Sequence, residues 1–244
     1  MKRILTLSAL AALLLTACQS LKTETYQDNL TIPLAEGQTD SLIFDISLQY
    51  VSGGVSDAAK EAINNAIILH SFDLEEADGT LEEIAIRYRD NLIEEYFSVN
   101  AGGDDYDCSW EDSMKGEFTG GYKNWENYSF TYYSYRGGAH GFQTTIQMVF
   151  DRKTGALLTE DDLFAKGYQN PVSELLREAI LAEMSAEADD YSELVDMENV
   201  VPNGNFSVGK EGILWFFQPY EIMPYALGPT TCTIPWDRLK PYLK

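Results

Sequence analysis

Two histidines, His70 and His140, are the only imidazoles in the chain. Two rings so far apart cannot make a helical HExxH metal site, and no such motif occurs. His70 falls on the apolar stripe Ala59, Ala62, Ile63, Ala66, Ile67 of an expected helix, where a partly buried structural ring is the ordinary role. His140 lies inside Gly137-Gly138-Ala139-His140-Gly141. There its ring can serve as hydrogen-bond brace, ligand or base. A serine triad on an α/β-hydrolase scaffold would need a G-x-S-x-G elbow, and none is present. The glycines around His140 lack the spacing of a phosphate or dinucleotide loop. Asp104, Asp105 and Asp107 follow Gly102-Gly103 but miss the glycine and glutamate of a calcium loop, so they read as a solvated loop. Glu160-Asp161-Asp162 reads as turn and helix-cap chemistry. No catalytic set, metal site or cofactor site is expected. Carboxylate-dependent polysaccharide hydrolysis stays open as an alternative, because it depends on a separation in space.

A second stretch has the residue types for recognition. Pro219 to Gly228, PYEIMPYALG, joins two apolar strands yet carries Tyr220, Glu221 and Tyr225 between Pro219 and Pro224. Prolines lower the entropy lost on ordering, and tyrosines make good contact residues. Either these rings face a partner, or Tyr220 and Tyr225 turn inward and plug the end of a sheet. Tyr135, Arg136 and His140 from the glycine turn are expected beside them if the C-terminal strands join the same sheet.

The elements that must position these residues follow from periodicity. Ser41 to Val51 alternates, with Leu42, Phe44, Ile46, Leu48 and Tyr50 on one face. Ser56 caps a first helix, and Thr80 with Glu83 forms a capping box for a second. Trp110–Tyr122 and Trp125–Tyr135 read as strands. The next, Phe142 to Phe150, puts Phe142, Thr144, Ile146, Met148 and Phe150 on one face. Asp151 to Gly155 is a turn, with Asp151 bonding its own backbone. Asn170-Pro171 suggests a helix start, with Val172, Leu175, Leu176, Ala179, Ile180 and Met184 as its buried stripe. Asp189–Met197 suggests another helical turn or two. Ile213–Gln218 and Thr230–Ile234 are strands, and Pro235–Leu239 is a closing helix. The fold class is α+β: an antiparallel meander with helices packed on one face.

The chain has 244 residues, 45% of them hydrophobic, and a net charge of −22. Such a charge disfavours nucleic acid and anionic lipid and attracts cationic partners. Lys2-Arg3 and the apolar run Ile4–Leu15 form a leader too short to span a bilayer. Leu15-Thr16-Ala17-Cys18 resembles the bacterial lipobox, which implies cleavage after residue 17, a lipidated Cys18 and a net charge of −24 once Lys2 and Arg3 are gone. Residues 18–39 are polar and read as a tether reaching ~70–80 Å, with Thr31-Ile32-Pro33-Leu34 as a possible edge strand. The remainder divides into 40–150 and 151–244, expected to pack as one unit. Cys108 and Cys232 are expected as two free thiols.

Tyr135-Arg136-Gly137-Gly138-Ala139-His140-Gly141, Phe150-Asp151 through Thr154-Gly155, Asp162-Leu163-Phe164 and, near the end, Pro219-Tyr220-Glu221-Ile222, Pro224-Tyr225-Ala226, Gly228 and Ile234-Pro235 are similar to the motifs of the PdaC/RsiV-like extracytoplasmic domain family. That family includes the sensor domain of lysozyme-responsive anti-sigma factors and an accessory domain of peptidoglycan deacetylases. The resemblance, over about 40–242, implies a sheet flanked by helices, a place in the bacterial cell envelope outside the cytoplasmic membrane, and binding rather than catalysis. It implies peptidoglycan or a cationic wall-active protein such as lysozyme as partner, met by Tyr135, Arg136, His140, Pro219, Tyr220, Glu221, Pro224 and Tyr225. An accessory role toward another envelope protein is the alternative. The chain shows no deacetylase domain and no apolar segment long enough to span a membrane.

Overall fold

The computed structural model describes residues 20–101, 109–186 and 191–244. Strands β1 (Lys22–Pro33), β2 (Ser41–Gly53), β3 (Trp110–Gly120), β4 (Trp125–Tyr135), β5 (Phe142–Asp151) and the short β6 (Leu157–Leu158) form one sheet in that order. Helices α1 (Asp57–Ser71) and α2 (Leu81–Asn100) connect β2 to β3. Leu42, Phe44, Ile46 and Leu48 of β2, Met114 of β3, Tyr128 and Phe130 of β4 and Met148 and Phe150 of β5 bury one face against Ile63, Ile67, Ile84, Leu92 and Tyr96 of these helices. The expected strand periodicity is what places them there.

Local chemistry sets the element ends. Ser56 accepts the Ala59 N–H at 3.2 Å, and Thr80 and Glu83 exchange both bonds of a capping box. The Asp151 carboxylate accepts the Lys153 and Thr154 N–H groups, and Gly155 takes φ +78° to close that turn.

The expected tether is a strand along most of its length. Residues 22–33 form β1, antiparallel to β2 from Lys22↔Gly53 to Pro33↔Ser41. Tyr26, Asp28, Leu30 and Ile32 turn toward the helices, while Thr25, Gln27, Asn29 and Thr31 face solvent. An edge strand with one wet face looks polar overall, which hides it in the composition. The meander itself is β3–β4–β5, but β2 joins it in parallel, Leu42 opposite Trp110 through Leu48 opposite Gly116. The two intervening helices supply the long crossover a parallel pair requires.

The C-terminal strands do not join that sheet. β7 (Phe206–Val208), β8 (Gly212–Phe217) and β9 (Thr230–Pro235) make a separate three-stranded antiparallel sheet. A second core gathers Val149 of β5, Trp215 and Phe217 of β8, Phe164, and Val172, Leu176 and Ile180 of α4 (Gln169–Met184). Short helices α3 (Glu160–Leu163) and α5 (Trp236–Leu239) close it. Three side-chain amides stitch the two sheets. Asn127 donates to the Val208 carbonyl and accepts its N–H, at 2.8 and 3.0 Å. Asn205 and Gln218 take up the β5 backbone at Thr145 and Gln147, while β6 pairs with β5 only at Val149 and Phe150.

Three smaller expectations change. His70 is exposed: it keeps the helical phase of Ala59 and Ile63 but stands in the last turn of α1, where Ile67, Ile68 and Ser71 make the buried contacts instead. Helix α4 begins at Gln169, so Pro171 is the third helical residue, where its missing N–H still costs no intrahelical bond. Between Asp189 and Met197 the described structure is one 3-10 turn, Ser192–Leu194. Cys18, Cys108 and the aspartates 104, 105 and 107 lie outside the described residues. Cys232 is a free, buried thiol whose pKa burial pushes up to about 12. No helix among the described residues is long and apolar enough to cross a membrane.

Candidate functional site

The glycine turn and the Pro219–Gly228 loop meet at the end of the large sheet where β2 begins. The registers trace this end strand by strand: Pro33 opposite Ser41, Leu42 beside Trp110, Glu111 opposite Tyr135, Ser134 opposite Phe142. The turn leaves β4 and enters β5 there. Gly137 and Gly138 take φ +88° and +97°, a region closed to most side chains. At Gly141 the Tyr133 ring packs so closely that a Cβ would lie 2.5 Å from it.

His140 and the second loop form a ring stack. The His140 and Tyr225 rings are 4.5 Å apart at 25°, and Tyr225 and Tyr220 are 5.2 Å apart at 29°. The Tyr225 hydroxyl donates to the Gly141 carbonyl at 3.3 Å, and His140 Nδ1 lies 2.9 Å from the same oxygen. Tyr220 ends the stack, is 68% exposed and is held at φ +70°. Such a conformation is uncommon for a bulky residue and persists only where the surroundings fix it. The fixing groups are visible. Tyr220 N–H donates to the Met223 carbonyl, and the Glu221 carboxylate accepts the Gln218 N–H and the Asn203 amide, each at 2.7 Å. Ile222 and Met223, rather than the tyrosines, plug the C-terminal core.

The predicted residues therefore separate into a contact set and a bracing set. His140, Tyr220 and Tyr225 make the stack, and exposed Pro224 leads into the 3-10 turn Tyr225–Leu227. Glu221 is an internal brace, and Pro219 is half-buried ahead of Tyr220. Tyr135 braces the turn by donating to the Gly138 carbonyl at 3.1 Å. Arg136 is engaged inward. Its guanidinium lies 4.7 Å over the Trp110 ring, donates to the Glu111 carbonyl and pairs with the Asp112 carboxylate. Asp112 is fully buried and also accepts the hydroxyls of Tyr88 and Tyr132 at 3.2 and 3.0 Å. A buried carboxylate needs such partners, and Arg136 supplies the compensating charge. Arg136 and Glu221, expected to reach toward a partner, are each engaged by groups of this protein.

Sequence reasoning missed Asp112, Asn205 and Gln218, and also Phe142, which alternation put on the core face. Phe142 lies 6.3 Å from the Tyr132 ring, but as the first residue of β5 it stays 59% exposed. Ile43 and, at the end of α2, Phe97 and Val99 are exposed at the same end of the sheet. Singly exposed apolar residues of this kind are ordinary on a protein surface. Among the described residues no group of histidine, cysteine or carboxylate side chains is arranged to hold a metal.

Residues 161–237 match the DUF3298 family, described as a protein of unknown function. The matched stretch holds the Tyr220–Tyr225 loop and the second sheet, and it stops short of His140 and Asp112. A crystal structure of a DUF3298 family member from Bacteroides fragilis NCTC 9343 superposes with a TM-score of 0.81 at 22% identity, covering 93% of this chain and 95% of that one. A DUF3298 family protein from Pseudomonas aeruginosa PAO1 gives 0.68 at 15% identity, covering 93% and 96%. These likenesses establish the fold across nearly the whole chain. Among curated proteins none matches.

Proposed function

We propose that this protein is a lipid-anchored binding module of the bacterial cell envelope, whose contact surface is the stacked loop pair and whose partner is a cationic wall-active protein. The single observation that carries the reading is Tyr220. A large ring stands 68% exposed, in a strained backbone conformation, on a stack that ties two loops together. Rigid aromatic residues presented this way are the usual anchors of protein interfaces. The net charge of −22 supports a cationic partner through long-range steering. The match to DUF3298 is consistent with the resemblance to PdaC/RsiV-like domains, from which lysozyme enters as the probe.

The proposed anchor has a geometric consequence. Cys18 precedes Ser20 by two residues, and the Ser20 carbonyl packs directly on Gly54, just past the end of β2. With residues 22–33 in the sheet, a lipid on Cys18 would hold that end close to the bilayer. The stack lies at the other end of β2, 13 residues away or about 40 Å. It would face outward from the membrane.

Calorimetry of the 19–244 fragment with a c-type lysozyme at about 0.15 M salt tests the reading. Complex formation is expected, and Tyr220→Ala should weaken it by about 2 kcal/mol while leaving the fold intact. Absence of heat and of complex at micromolar concentrations would remove lysozyme as partner. Sedimentation with insoluble peptidoglycan, abolished by the same substitution, would name the polysaccharide instead.

A further inference from the structure

We propose a second binding site at the opposite end of the molecule, for a ligand bearing a primary ammonium group. A cleft of about 790 Å³ opens there between α1, the first turn of α2 and the β1–β2 pair. Four elements contribute to it: Tyr26 from β1, Tyr50 from β2, Glu61 and Asn65 from α1, Leu81 and Glu82 from α2. Ile67, Ile68 and Ala77 give it an apolar lining between these polar groups.

The charges in and around this cleft are unbalanced. Its one lysine, Lys60, is taken by Asp57 at 3.0 Å. Arg89, near Tyr26, is taken by Asp28 and Asp90 at 2.7 and 2.9 Å. Glu61 and Glu82 have no cationic partner among the described residues. Glu82 also acts on both phenols. Tyr26 is pushed toward higher pKa by burial first and then by Asp28, with Glu82 adding to the effect. Tyr50 is pushed up by its hydrogen bond to Glu24, then by burial, with Glu82 adding again. A negative field from different elements, tyrosine rings and an apolar lining together suit an ammonium on a short aliphatic stem. The cation is attracted by carboxylate and ring, and the stem lies along the apolar wall. Anions are repelled for the same reason. This site is independent of the ring stack: different residues line it, and it lies at the far end of β2.

A free diamine and a lysine side chain share this chemistry. The test is titration of the 19–244 fragment at about 0.15 M salt with three probes: cadaverine, Nα-acetyl-lysine amide, and Nα-acetyl-norleucine amide, which keeps the stem without the charge. Saturable binding of an amine is expected, with none for the norleucine probe. The E61Q/E82Q double variant should bind about tenfold more weakly or worse. Both positions are exposed, so folding should survive, and thermal unfolding checks this. Tyr220→Ala should leave amine binding unchanged. Binding of cadaverine alone assigns a small free amine, and binding of the lysine amide assigns a peptide or protein side chain. No saturable binding of either amine overturns the site, as does equal affinity in the double variant or equal binding of norleucine amide.

Discussion

The two cores each bury one carboxylate, and they treat it differently. Under the glycine turn, Asp112 is fully buried and paired with the Arg136 guanidinium, with two tyrosine hydroxyls completing its shell. In the C-terminal core, Glu160 at the first position of α3 has no cationic partner among the described residues. It accepts the Trp215 indole N–H at 2.6 Å, the Gly204 N–H at 3.2 Å and the Tyr168 hydroxyl at 3.2 Å. Burial pushes its pKa up, and these donors pull it back only in part. The Asp112 pair belongs to the site, because Arg136 opens the turn that carries His140. The Glu160 cluster belongs to the scaffold, because it joins α3, the turn before β7 and strand β8. A charge answered by a charge fixes a loop, whereas one answered by neutral donors leaves that core sensitive to pH.

The largest effect should come from breaking the ion pair. Arg136→Ala leaves the Asp112 charge buried without compensation, which costs about 3–5 kcal/mol. Urea unfolding measures it, and a loss under about 1 kcal/mol would mean that the buried carboxylate does not depend on the Arg136 charge. Replacing Glu160 by alanine should cost about 1–3 kcal/mol for each donor left unpaired, chiefly the Trp215 and Gly204 N–H groups. Fluorescence of the variant should report a changed Trp215 environment, and an unaltered spectrum with full stability would deny the cluster its joining role.

The pH dependence sharpens the contrast further. The folded pKa of Glu160 is raised, so its contribution is fully present below the unfolded value, near 4.5, and is lost as pH rises through the folded value. Glu160→Gln keeps an acceptor oxygen for Trp215 and Gly204 but cannot ionise. The stability of the native protein relative to this variant should fall from pH 4.5 toward neutrality. A difference that stays flat, or rises, over this range refutes the assignment. The smallest effect on folding is expected at the surface of the stack, where Tyr220→Ala should change stability by no more than about 0.5 kcal/mol. A larger loss would make Tyr220 part of the scaffold and remove the basis for reading it as a contact residue.

Local signals were legible wherever neighbours in sequence decide the outcome. The Ser56 cap, the Thr80–Glu83 box, the Asp151 turn and the alternation of β2 through β5 all depend on residues within a few positions of one another. The proximity of His140 to the Tyr220–Tyr225 loop was expected too, although the route to it differs. A shared sheet was the expected cause, and two sheets joined by Asn127, Asn205 and Gln218 are the actual one.

What the sequence by itself determined is the α+β class, the starts of α1 and α2 and the strands that bring the two loops into being, because periodicity and capping are short-range. Tertiary structure alone decided the rest. β1 became a strand because β2 offered it a free edge, while its own wet face kept its composition polar. Arg136 turned inward because Asp112, 24 residues away, is buried beneath it. Glu221 turned inward because Asn203 and Gln218 require its oxygens, and Tyr220 was left exposed because Ile222 and Met223 fill the core first. For Arg136 with Asp112, and Asn203 with Glu221, the deciding energy is a desolvation or packing term between residues far apart in sequence, and no local pattern encodes it.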